Sequence, residues 1–176
     1  DFSTEIFSII AQKTGKLDPF LQIKIESNDF FKKLIPKLNE SFADLPKKEK
    51  LYSLVLYSIA ANMVDFSTGG HKVDLNDIAK NIVYFPEEGL AIDHFNDLHN
   101  LIEKSNSIIY LSDNCGEVVV DNLVVNFLVK EMKKKVYFGL KGAPIANDCT
   151  MDDFTRDELP QYATETFAVS SSFGWN

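Results

Sequence analysis

The chain has 176 residues, 45% hydrophobic and 25% charged, with a formal net charge of −8, which suits one domain or a core domain with a helical cap. The acidic balance argues against a nucleic-acid surface, which needs a basic stripe to replace condensed counterions. It leaves room for an anionic small molecule, because a metal ion reverses the local field. No apolar run reads as a membrane span or signal peptide. The two cysteines make no disulfide framework, so a cytoplasmic protein is expected. The sequence starts at Asp1 and stops at Asn176, and it is expected to be a piece of a longer protein.

In chain order, the first half reads as helical. "STEIFSIIAQKTG" sets Ile6, Ile9 and Ile10 on one face behind a cap at Ser3 or Thr4, and Gly15 closes it. "DPFLQIKIESNDFFKKLI" has Asp18 as N-cap and Pro19 at the first helical position. Pro36 is expected to break or kink that helix. "PKKEKLYSLVLYSIAANMVDF" spreads Leu51, Leu54, Val55, Tyr57, Ile59 and Met63 over more than half its circumference, as a largely buried helix does. "STGGHKVDLND" is a loop in which Asp74 caps a further short helix, and "DHFNDLHNLIEKSN" places Phe95, Leu98, Leu101 and Ile102 at helical spacing.

From Ser107 the pattern changes. "SIIYLSD" is a short strand, Glu117 to Lys134 is a helix, and "KVYFGLKG" is a second strand. "DCTMDDFTRDEL" is a short helix and "ETFAVSS" a third strand. Strands alternating with helices signify a parallel sheet with crossover connections. The helix "EVVVDNLVVNFLVKEM" is apolar nearly all round, as expected of one lying between a sheet and other helices.

Ligands collect outside the carboxyl ends of an open parallel sheet, and two such ends carry acids. Asp113 and Asn114 follow the first strand; "KGAPIANDCT" follows the second and brings Asn147 and Asp148 to the next helix. If the strands are neighbours, Asp113, Asn114 and Asp148 converge as hard ligands suited to Mg²⁺ or Mn²⁺. Free N–H groups at the helix starts would favour a phosphate there, the layout of metal-assisted phosphoryl chemistry. On pattern alone the plainer reading comes first: Asp-Asn before a helix caps it, and Glu117 is a first-turn acid favoured by the helix dipole. His71, His94 and His99 make no zinc pair, since the His94–His99 spacing puts them on different helix faces. No nucleophile elbow, Walker loop or dinucleotide fingerprint is present. The terminal "SSSFGWN" carries Trp175, expected to pack against the sheet.

"LSDNCGEVVVDNLVV" followed by "KGAPIANDCTMDD" resembles the metal-dependent damage-control phosphatases, once catalogued as domain of unknown function eighty-nine. Members typically show D-N-A-G-E after one strand and [KR]-G-x-P-x-x-N-D-A-T after the next. Upstream, "TGKLDPFLQIKIESND" and "SIAANMVDF" are similar to the family's G-x-x-D-P-[YF]-x-x-x-K-x-x-S-N and A-x-N-x-[IV]-D-[FY] blocks, in the same order. The resemblance implies an α/β fold: a mainly helical region over residues 1–105 packed on a Rossmann-like parallel sheet over residues 106–176, in three α/β/α layers. It implies hydrolysis of phosphomonoesters of small metabolites such as sugar phosphates, with Mn²⁺, Co²⁺, Ni²⁺ or Mg²⁺. No nucleic-acid or membrane partner is implied.

By matching position, Asp113, Asn114 and Asp148 would ligate the metal. Asn62 and Asp65 would line the pocket, or alternatively cap a helix C-terminus. Glu117 would orient a metal-bound water, Asp113 is the candidate for a carboxylate nucleophile, and Lys141 and Asn147 would touch phosphate. Cys115 and Cys149 replace the family's usual alanines and are expected to be small buried fillers lying close together. The paired-cysteine motif of the microbial branch is absent. The family's later G-[ST]-D-x-x-G segment and phosphate-binding lysine are also lacking, so this stretch alone is expected to be catalytically incomplete. The second functional reading is a non-catalytic metabolite- or nucleotide-binding module on the same scaffold.

Overall fold

The computed structural model describes residues 2–64 and 75–169. Asp65, His71, Asp74 and the "SSSFGWN" segment with Trp175 lie outside the described residues. Helix α1 (Phe2–Thr14) already includes Ser3 and Thr4. It closes at Gly15, whose φ of 68° is the left-handed conformation that glycine adopts without a Cβ penalty.

Helix α2 (Leu21–Phe42) starts later and runs further than its sequence suggests. Asp18 Oδ1 accepts a hydrogen bond from the Phe20 amide at 2.9 Å, so Asp18 and Pro19 form the turn ahead of the helix. Pro36 sits inside α2 without ending it. A proline there costs about 3 kcal/mol. Beyond it, Leu38 and Phe42 are both buried, each contributing about 1.5–3 kcal/mol by leaving water, so core packing outweighs the break.

Helix α3 (Lys47–Asn62) buries Leu51, Leu54, Tyr57, Ala60 and Ala61. Met63, assigned by periodicity to its apolar face, is 70% exposed because the helix stops one residue earlier. Helices α4 (Leu75–Glu88) and α5 (Phe95–Lys104) follow. On α5 only Ile102 is buried, whereas Leu98 and Leu101 are exposed. No helix among the described residues is long and apolar enough to cross a membrane.

The α/β part comprises β1 (Ser107–Leu111), α6 (Glu117–Lys130), β2 (Lys135–Leu140), α7 (Met151–Arg156) and β3 (Glu165–Ala168). The strands are parallel in the order β1-β2-β3, with Leu111 opposite Gly139 and Gly139 opposite Phe167. This is the expected α/β class: helices of the N-terminal part packed on a parallel sheet. Helix α6 ends four residues earlier than its sequence pattern, because Lys133 takes a φ of 58° and turns the chain into β2. Val118, Val120, Val125 and Phe127 of α6 are buried between α2 and α3 on one side and β2 on the other. Val136, Phe138 and Leu140 of β2 are fully buried, while on the opposite face Ile109 is 69% exposed. Because β1 and β2 are adjacent and parallel, the loops after them leave the same edge of the sheet.

Candidate metal and phosphate site

The loops that follow β1 and β2 are zipped together by their backbones. Asn114 and Asp148 form an antiparallel bridge. The Cys115 amide donates to the Asn147 carbonyl at 2.8 Å and the Cys149 amide to the Asp113 carbonyl at 2.7 Å. A second bridge joins Lys141 to Thr150. The short strand-to-loop transitions after Leu111 and Leu140 thus continue as one paired ribbon, which holds its side chains in register across the sheet edge.

Four of the residues singled out in the sequence meet on this ribbon. The Lys141 ammonium is buried, 3.1 Å from Asp148 Oδ2 and 3.9 Å from Asp113 Oδ1. Asn114 Nδ2 donates to Asp113 Oδ2 at 3.4 Å. Asp148's carboxyl is raised above the usual range by burial, against the opposing pull of Lys141. Asn147 contributes its backbone carbonyl.

The N-cap of α6 is Gly116, at φ 93°, and no side chain caps it. Helix α7 is capped by Thr150 in a reciprocal box with Asp153. Asp113, Asn114 and Asp148 therefore cap neither helix, and their side chains remain available at the sheet edge. They are two carboxylates and an amide facing a buried cation, a hard-oxygen donor set that fits Mg²⁺ or Mn²⁺. Among the described residues no group of three His, Cys, Asp or Glu side chains could hold a metal ion.

Glu117 and Asn62 form a flank of the site. Glu117 Oε2 accepts from Asn62 Nδ2 at 2.5 Å and from the Asn114 amide at 3.3 Å. The Asn62 side chain is thus spent across the interface, and the C-cap of α3 is Met63. Burial and the neighbouring Asp121 raise the Glu117 carboxyl to about 7, with the Asn62 and Asn114 bonds pulling the other way.

Asp121, one turn along α6, is a residue that motif reasoning left out of the site. Fully buried, it accepts hydroxyls from Ser58 at 2.6 Å, Tyr110 at 2.7 Å and Ser112 at 2.9 Å. Burial still raises its carboxyl to about 6, despite these bonds. The signal was present: Asp121 is the one acid beyond the first turn of a mostly apolar helix, and a buried carboxylate needs partners. Cys115 and Cys149 are both free and buried. Their thiols interact, and the Cys115 contact together with burial pushes the Cys149 thiol well up, as suits fillers rather than nucleophiles.

Residues 2–172 match the family model of the damage-control phosphatase ARMT1-like domain. The chain is 31% identical over 172 residues to a damage-control phosphatase of Archaeoglobus fulgidus, covering 93% of this chain and 55% of that protein. It is 27% identical over 157 residues to a damage-control phosphatase of Pyrococcus horikoshii, covering 88% of this chain and 51% of the relative. Its fold matches the crystal structure of a duf89 family protein from Pyrococcus horikoshii with a TM-score of 0.78 at 24% identity, covering 97% of this chain and 57% of the other. The chain spans about half the length of these curated relatives.

Proposed function

This chain belongs to the damage-control phosphatase ARMT1-like domain family, and from that premise we propose that its site serves metal-dependent hydrolysis of phosphomonoesters of small metabolites, sugar phosphates among them. The observation that supports this most is the meeting of Asp113, Asn114 and Asp148 around the buried Lys141, with none of the three used as a helix cap. In this reading Asp113, Asn114 and Asp148 hold Mn²⁺, Co²⁺, Ni²⁺ or Mg²⁺. When bound, such an ion polarises the phosphoryl group and lowers the pKa of an attacking water.

The chain's own residues do the rest. Lys141 and Asn147 meet the phosphate oxygens, Lys141 as a point charge. Glu117, with its carboxyl near neutrality, takes a proton from the attacking water, a task that suits a base poised near the working pH. Asn62 holds the Glu117 carboxylate through Oε2 and lines the substrate side. A carboxylate nucleophile at Asp113 is the second chemical reading. Its side chain is 50% exposed, against 17% for Asp148, so it is the more accessible carboxylate to an incoming phosphorus.

The test is hydrolysis of a generic phosphomonoester by the full-length protein, with and without Mn²⁺, Co²⁺ or Mg²⁺. Metal-stimulated turnover is expected. Metal and phosphate binding without turnover would instead establish a non-catalytic metabolite-binding module. Neither binding nor turnover would end both readings.

A further inference from the structure

We infer that one turn of α2, through Lys24 and Asn28, seats the two loops that carry Asp113, Asn114 and Asp148 against the helical region. These two residues are positioning residues for the metal site, an inference that rests on the functional reading above. Their four-residue spacing puts both side chains on one helix face, and that face meets both loops.

Lys24 is fully buried, with its ammonium 2.8 Å from Asp18 Oδ2 and 3.1 Å from Asp153 Oδ2. The same Asp153 oxygen accepts the Thr150 amide at 3.0 Å and the Thr150 hydroxyl at 2.7 Å. Thr150 is two residues from Asp148 and is bridged to Lys141, so Lys24 holds the second loop through Asp153 and Thr150. One turn further, Asn28 Oδ1 accepts the Gly116 amide at 2.5 Å, between Cys115 and Glu117 on the first loop. The Asn28 amide nitrogen donates to Asp157 just past α7.

The fit at Gly116 is close. A Cβ there would press on the Phe31 ring at 3.0 Å and on Ser27 Cβ at 3.1 Å, and the φ of 93° strains any residue but glycine. Backbone bonds between the loops fix them to each other; α2 fixes the pair against the helical region. Replacing a buried ion pair by apolar groups is often neutral for stability. A lysine kept here between two carboxylates, one of which braces Thr150, is better accounted for by geometry at the loop than by cohesion of the core. Neither Lys24 nor Asn28 hydrogen-bonds a proposed metal ligand; the Lys24 charge is felt at Asp148, whereas Asn28 carries no charge and acts on the metal only through the loops.

The test compares full-length wild-type protein with Asn28→Ala and Lys24→Met, measuring Mn²⁺ affinity by calorimetry and amide hydrogen exchange of both loops. Asn28→Ala leaves Asp157 paired with Arg156 and strands one buried donor, the Gly116 amide, so it is the variant expected to stay folded. Each variant is expected to weaken Mn²⁺ about 10–100-fold, the range for outer partners of metal ligands. Exchange should also speed up on the loops following β1 and β2 together. Wild-type Mn²⁺ affinity and wild-type exchange in a folded Asn28→Ala protein would overturn the inference. Absence of Mn²⁺ binding by the wild type would instead overturn the functional reading on which it rests.

Discussion

Two buried polar clusters flank the same pair of loops, and they are built oppositely. On the α2 side, Lys24 and Arg156 face Asp18, Asp153 and Asp157, so charges are matched by charges. There, burial works against the ionised forms of Lys24 and Asp153, but Asp153 and Asp18 together outweigh it for Lys24, and Lys24 with the Thr150 and Arg156 bonds outweighs it for Asp153. Lys24 stays above its ordinary pKa and Asp153 below its own. On the α6 side, Glu117 and Asp121 meet hydroxyls and amides but no cation. Their carboxyls are pushed toward neutrality. In the first cluster Lys24 and Asp153 are each held further from neutrality, which suits it to holding; the second is poised to exchange protons. Matched charge gives rigidity, and unmatched charge gives reactivity.

The largest expected effect lies between the clusters. Asp148→Asn should weaken Mn²⁺ binding by more than the about 100-fold reached by outer partners, with little change in folding. Calorimetric titration showing unchanged affinity would remove Asp148 from the ligand set. Next comes the acidic cluster. Asp121→Ala leaves the Ser58, Tyr110 and Ser112 hydroxyls without their acceptor, each such loss costing about 1–3 kcal/mol. Urea unfolding should register a loss of about 3 kcal/mol or more, and a loss as small as that of a surface substitution would show that the cluster does not bind α6 to β1 and α3.

The two clusters also differ in pH dependence. Glu117's folded carboxyl is raised to about 7 from an ordinary 4.5. Its contribution is therefore fully present below pH 4.5 and lost as pH rises through about 7. Asp153 is depressed, so its contribution is present above 3.8 and lost only as pH falls through its lower folded value. Lys24, raised above 10.5, loses its contribution only in alkali. Metal-free protein should thus lose stability between pH 4.5 and 7, and Glu117→Gln should flatten that slope in melts at stepped pH. The smallest effect is a control outside both clusters. The Lys50–Glu131 pair at 2.7 Å is partly solvent-exposed, and Glu131→Gln should cost no more than about 1 kcal/mol in chemical denaturation.

Much of this was legible in the residues. The order of helices and strands follows from apolar periodicity, and the acids after β1 and β2 stand where a parallel sheet presents ligands. Lys24 was harder to read, because a lysine is exposed by default unless partners are brought to it. Its partner Asp153 lies 129 positions away. Leu98 and Leu101 satisfied helical spacing, but α5 presents that part of its surface to water. Pro36 is a local break signal, and only the packing of Leu38 and Phe42 beyond it shows that the helix continues.

By itself the sequence determined the strand-helix alternation and the two acidic loops, since both depend on neighbours a few residues away. It also carried the ordered blocks that place the chain in its family. Tertiary structure alone decided that Asp113, Asn114 and Asp148 are not caps, that Asp121 is bound to three hydroxyls, and that one turn of α2 meets both loops. The reason is physical. A buried polar group must find its partner wherever packing delivers one, and those partners come from elements far apart in the chain.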